Sequence, residues 1–283
     1  MIKGISYWSF PGGLDGTKPV RDAVREAKAA GFESIELCLS SRGDLALETS
    51  ESQCRNLRSC ADSEGIQISS VATGLFWAKS LTANSAHVRD EALDIGKKLI
   101  DTAHWLDAGA VLVIPGAVDV FFDPASEVVD YQTVWDRATE AIDALLPFAE
   151  KAKITIGIEN VWSKFLVGPM ELRQFIDQFD SQWMGSYFDV GNCMPFGYPE
   201  QWIRMLGGRI KRVHFKDFRR RAGTAEGFVD LLAGDVDWPQ VVQALGEIGY
   251  EGFVTAELIP TYNHHSNVHL ANTSRAMDAI LGR

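Results

Sequence analysis

The chain has 283 residues, 46% of them apolar and 23% charged, with a formal net charge of −11. Such a chain can bury a large core, which excludes a disordered polymer, and its sign excludes a general affinity for nucleic acid or anionic membrane. The four cysteines, Cys38, Cys54, Cys60 and Cys193, contain no C-x-x-C pair and are few for this length, which fits a reducing compartment better than a disulfide framework.

The opening residues MIKGISYWSF lack the layout of a signal peptide, and no apolar run approaches the roughly 18 residues of a bilayer span, so the cytoplasm is the expected location. KGISY reads as the first strand. A recurring unit follows, in which a helical stretch ends near a glycine and leads into a short β-branched run: AVREAKAAGFESIEL, NLRSCADSEGIQISSVA, LIDTAHWLDAGAVLVIP, EAIDALLPFAEKAKITIGIEN, IRMLGGRIKRVHFKD and QALGEIGYEGFVTAEL. Glycine stops a helix by adopting the left-handed conformation, and the runs after it read as strands buried on both faces. With GSYFDV near residue 187 the count reaches eight strands, each followed by a helix.

This alternation predicts parallel strands joined by right-handed crossovers, and eight units in this length predict a single α/β domain over 1–283, a (β/α)8 TIM barrel. A doubly wound sheet is disfavoured because no G-x-G-x-x-G follows the first strand. The longest irregular stretches, ATGLFWAKSLTANSA, PGAVDVFFDPASEVV and FRRRAGTAEGFVDLLAGDV, all follow a strand C-terminus, the face on which barrels keep their sites.

Four polar residues end the last four strands: Glu159 in ITIGIE, Asp189 in SYFD, His214 in RVH and Glu257 in FVTAE. Consecutive strand ends are neighbours around one barrel mouth. Three carboxylates and an imidazole make a hard, oxygen-rich set suited to one divalent ion, Mn2+, Mg2+ or Co2+. Four such groups buried together need compensation by a cation, one another or water.

The strings GIEN, YFDVGN, VHFKD and TAEL, with SYWSF, SIELCL and the segment GDVDW, resemble the signature segments of the xylose isomerase-like TIM-barrel superfamily of sugar phosphate isomerases and epimerases, which includes ketose 3-epimerases, hydroxypyruvate isomerase and inosose dehydratase. The resemblance implies that Glu159, Asp189, His214 and Glu257 bind the metal and that Glu159 and Glu257 are also the catalytic acid and base. The expected reaction is isomerisation or epimerisation of a sugar or sugar phosphate by proton transfer through a cis-enediolate. A proton beside a carbonyl is too weak an acid for a carboxylate alone, and a chelating cation supplies the missing stabilisation. A dehydratase on the same scaffold, losing a β-hydroxyl after proton abstraction, is the alternative. A three-metal DNA-repair barrel is disfavoured by the charge and by only six histidines. Dimers and tetramers are frequent in the resembling family, so a homo-oligomer is possible.

Asn192 stands where ketose 3-epimerases often carry histidine, so a neutral amide is expected near the substrate oxygen. Asp217 is expected to fix the His214 tautomer or to touch a substrate hydroxyl, and Lys216 to point away from the pore. Arg219, Arg220 and Arg221 form a cluster suited to gripping phosphate or hydroxyls, and Arg220 is the expected grip because the resemblance places the epimerases' substrate arginine at its spacing. Glu36 is similar to a strand-2 glutamate common in the superfamily, which implies a substrate contact from across the barrel, with pairing to a nearby basic group as the plainer reading. Trp77, with Trp8 and Phe76, offers an aromatic face for the sugar's C–H surface. Cys193 reads as packing, and His87, His104, His264 and His265 receive no role.

Overall fold

The computed structural model describes residues 1–259 and 261–283. Eight strands, β1 (Ile2–Ser6), β2 (Ser34–Cys38), β3 (Gln67–Ala72), β4 (Ala110–Val113), β5 (Thr155–Glu159), β6 (Met184–Asp189), β7 (Ile210–Phe215) and β10 (Phe253–Ala256), close into a barrel in the order β1-β10-β7-β6-β5-β4-β3-β2. Every neighbouring pair is parallel. The expected (β/α)8 TIM barrel is the fold. A two-stranded antiparallel ribbon, β8 (Asp217–Phe218) and β9 (Phe228–Val229), organises the long loop after β7.

The helices that cover the barrel start and stop where local chemistry directs. Helix α1 (Val20–Ala30) ends on Gly31 in the left-handed conformation, as expected. Helix α2 (Glu51–Glu64) opens with a capping box between Ser50 and Gln53 and ends on left-handed Gly65. Two stops differ from the glycine pattern. Lys153, at φ 59°, ends α5 (Tyr131–Ala152), and Asp107, at φ 54°, takes the left-handed turn after α4 (Ala86–Trp105) instead of Gly109. The short polar side chain of aspartate tolerates that conformation, so Gly109 is released for another purpose: a Cβ there would meet Arg212 Nη2 at 2.7 Å.

Strand periodicity sorts side chains between two environments. Phe188 faces Trp202 of α7 (Pro199–Leu206), and Phe215 faces Trp238 of α8 (Trp238–Glu247), with ring centroids 6.3 and 4.7 Å apart. The residues just before Phe188 and Phe215, Tyr187 and His214, face each other inside the barrel with ring centroids 4.6 Å apart. Room for the Tyr187 ring comes from Gly157, where a Cβ would stand 3.1 Å from Tyr187 Cβ. No helix among the described residues is long and apolar enough to cross a membrane.

Candidate active site

Glu159 is the last residue of β5, Asp189 the last of β6, His214 lies one residue before the end of β7, and Glu257 follows β10 directly. Asp189 is level with His214 in the sheet, and His214 is level with Thr255, just short of Glu257. The side chains therefore converge from adjacent strands. One donor atom from each lies within 4.8 Å of the others, and all four residues are buried. His214 Nδ1 stands 3.8 Å from Glu159 Oε1, 3.7 Å from Asp189 Oδ2 and 3.6 Å from Glu257 Oε2. Those separations are too long for hydrogen bonds. They are close to the roughly 3.0–3.6 Å between donors gathered about 2.0–2.2 Å from one ion.

The surroundings hold each donor in place. Asn160 clamps the end of β6, accepting from Asp189 N and donating to Asp189 O, both at 2.8 Å. Asp189 Oδ1 accepts the Asn192 N–H at 2.7 Å, leaving Oδ2 for the cluster. Beneath His214, Nε2 meets Glu36 Oε1 at 3.0 Å, while Ser70 (3.0 Å) and Tyr187 donate to Glu36 Oε2. The far ring nitrogen being engaged, Nδ1 is presented to the three carboxylates and carries no hydrogen bond.

The charges do not balance. Four buried carboxylates, Glu36, Glu159, Asp189 and Glu257, surround one imidazole and one ammonium, that of Lys216. Lys216 Nζ lies 3.1 Å from Asp189 Oδ2 and pairs with Glu257 Oε2, yet neither oxygen has a well-directed hydrogen bond. Burial pushes the Glu159 carboxyl up to about 7, partly offset by the nearby His214 and reinforced by the charge of Glu257. Burial alone would favour neutral His214, but Glu36, Tyr187 and Glu257 outweigh it and hold the ring pKa well above its usual value. Asp189 goes the other way: desolvation is overcome by Lys216, His214 and the Asn192 N–H, so its pKa is lowered.

Above the cluster lies a cavity of about 570 Å³, lined by Glu159, Asn192, Lys216 and Glu257 at the floor and by aromatic side chains at the walls. Trp8 and Trp77 line it, whereas Phe76 is buried in the core. Asn192 donates to Glu159 Oε1 at 3.3 Å. Cys193 is buried and its thiol is raised by that burial, with Sγ donating to Val190 O. His264 and His265 are exposed.

Four expectations are corrected. Lys216 points into the site, because residues two apart on a strand share a face and His214 faces inward. Asp217 touches neither His214 nor the cavity: its carboxylate accepts the N–H groups of Phe218, Leu232 and Val236 and the indole of Trp238. Glu36 does not line the cavity; it fixes His214 from below, as its plainer reading had it. Arg220 is not among the residues that line the cavity; it donates to Met194 O and lies 4.5 Å over the Tyr198 ring. The sequence reading passed over Asn160, although its place directly after Glu159 in GIEN was visible. It also passed over Phe121, Phe122, Trp162 and Phe228, which lie in loops with no period to reveal them.

Residues 24–277 match the family described as xylose isomerase-like TIM barrel, and the chain belongs to that family. It is 27% identical to an uncharacterised protein of Methanocaldococcus jannaschii over 60% of this chain and 57% of that one, so the alignment spans little more than half of that relative. It is 24% identical, over 82% of this chain and 81% of the other, to a protein of Haemophilus influenzae provisionally named L-ribulose-5-phosphate 3-epimerase SgbU. Among solved structures it is similar to a D-psicose 3-epimerase crystallised in the presence of D-fructose, with a TM-score of 0.83 and 17% identity over the whole of both chains.

Proposed function

We propose that this protein is a divalent-metal-dependent isomerase or epimerase of a small sugar or sugar phosphate, with Glu159 and Glu257 exchanging a proton with substrate carbon. The observation that carries this reading is the convergence of His214 Nδ1, Asp189 Oδ2 and Glu257 Oε2, buried and without hydrogen bonds, beneath a cavity that Glu159 and Glu257 also line. Glu159, Asp189, His214 and Glu257 suit one ion, and the deficit of positive charge among them supports it. When bound, that ion supplies Lewis acidity and charge neutralisation at a substrate carbonyl.

The chain's own groups do the rest. Glu257 and Glu159 each present a carboxylate to the cavity floor, so a proton taken by one and returned by the other inverts a carbon centre; return to the neighbouring carbon interconverts aldose and ketose. Asn192 orients Glu159 by donating from its amide nitrogen, accepts from Lys216 Nζ at its amide oxygen and lines the cavity. Lys216 neutralises part of the charge on Asp189 and Glu257 and offers its remaining N–H groups to an oxygen of the substrate. The aromatic walls exclude water from an intermediate that water would protonate. The names of the Haemophilus influenzae relative and of the psicose epimerase support this class of reaction.

The test is metal analysis together with solvent exchange. The purified protein should hold about one divalent ion per chain and move deuterium from D2O into a ketose or ketose phosphate, and Glu159→Gln or Glu257→Gln should abolish the exchange. Growth of a conjugated chromophore without sugar interconversion would assign elimination instead, and full activity without metal would end the proposal.

A further inference from the structure

We propose that the cavity is built for an unphosphorylated keto sugar carrying an aryl substituent, with the polyol end on the carboxylate cluster and the aryl ring between Trp77, Phe121 and Phe122. This deepens the isomerase reading and rests on it.

The volume comes first. About 570 Å³ lies in the middle of the range filled by drug-sized ligands, well beyond what a six-carbon sugar needs. Charge comes second. Among the described residues lining the cavity, Lys216 is the one cation, and it is already paired with Asp189 and Glu257. Arg219 donates to Ala233 O and Arg220 to Met194 O, and neither lines the cavity. Three carboxylates, Asp123, Glu159 and Glu257, do line it. A dianionic phosphate would find no clamp and a field of its own sign.

The shape of the wall comes third. Phe121 and Phe122, consecutive on the loop after β4, are 42% and 57% exposed, far more than large apolar side chains are in a settled core. Trp77 stands edge-on to both, with centroids at 6.0 and 5.3 Å, and Phe121 is edge-on to Trp162 at 5.6 Å. A rim of rings held perpendicular to one another presents both faces and edges, which an aromatic guest meets by stacking on one ring and edge contact with the next.

D-fructose, 6-O-benzyl-D-fructose and D-fructose 6-phosphate form a matched set with the same ketone and a different far end. Calorimetry with the Mn2+-loaded protein should find the benzyl ether bound at least tenfold more tightly than D-fructose, and the phosphate most weakly. Phe122→Ala and Trp77→Ala should each weaken the benzyl ether about tenfold more than they weaken D-fructose. Tightest binding by the phosphate or by 6-amino-6-deoxy-D-fructose would overturn the proposal, as would variants that weaken all ligands alike. Deuterium exchange on the same set separates the two claims. Selective benzyl-ether binding with no exchange in any ketose defeats the isomerase reading alone, and exchange with no aryl preference defeats this proposal alone.

Discussion

Glu36 lines no part of the cavity, yet it controls how His214 faces what lies there. Its carboxylate is fully buried and kept below the usual range, desolvation being outweighed by His214, Tyr187 and Ser70. Replacing it by glutamine keeps the shape and removes the charge that secures the tautomer. Glu36→Gln should therefore weaken Mn2+ binding by about 10- to 100-fold, measured by calorimetry, with the circular dichroism of the fold unchanged. An unchanged affinity would show that the ring is held by packing alone.

Two of the groups proposed to hold the metal carry protons that an ion would displace. Glu159 titrates near 7, above the ordinary carboxylate value of 4.5, so it is protonated in acid and binds metal only once it has lost that proton. His214 is likewise held in its protonated form by the carboxylates around it, with its pKa raised well above the ordinary value, and would have to give up a ring proton to the ion. Metal affinity should thus rise with pH, with protons released on binding and fewer of them above about pH 7 than below it, measured by calorimetry in buffers of different ionisation enthalpy. Since a raised carboxyl pKa favours the folded state only while the group is protonated, the metal-free protein should lose stability as pH climbs from about 4.5 to 7. The four cluster residues were legible because each ends an apolar strand. The pairing of Glu36 with His214 was not, because barrel closure, not local pattern, brings residues so distant in sequence together.

At the scale of elements, the loop between β7 and α8 is the segment whose reading changed most. A run of arginines suggested an anion grip, and the charge pattern offered no sign that the loop folds back on Asp217. One Asp217 oxygen accepts from Phe218 and Val236, the other from Leu232 and Trp238. The chain passes so close that a Cβ on Gly234 would stand 2.1 Å from Asp217 Oδ1. Asp217→Ala leaves four donors without their acceptor and should cost about 3 kcal/mol or more in urea unfolding. Limited proteolysis should then open the chain between 219 and 235 first. Lys216, one residue earlier, was readable: the two-residue period of a strand places it with His214, and the sequence reading set it on the wrong face.

At the scale of the whole molecule, the barrel was legible from the repeat of helix, stop and strand, and its closure followed from the count. Its interior is less ordinary. Where many barrels fill their centre with branched aliphatic side chains, this one stacks Ser70, Tyr187, Glu36 and His214 along the axis. Such an interior depends on what sits at its top. An ion present at 100 times its Kd should add about 2.7 kcal/mol to stability, seen as a rise in Tm of about 5 °C or more over the chelator-treated protein. No shift with Mn2+, Mg2+ or Co2+ would leave the cluster without a divalent partner.

The stack beneath His214 has a kinetic meaning as well. Tyr187 and Glu36 are buried, and with Ser70 they close the axial route from below. On the proposed reading, an ion would enter and leave through the aromatic mouth, on the path the organic guest takes. Loading would then run in sequence, ion before guest, with a seated guest as a stopper: saturating ligand should slow the escape of the ion to a chelator.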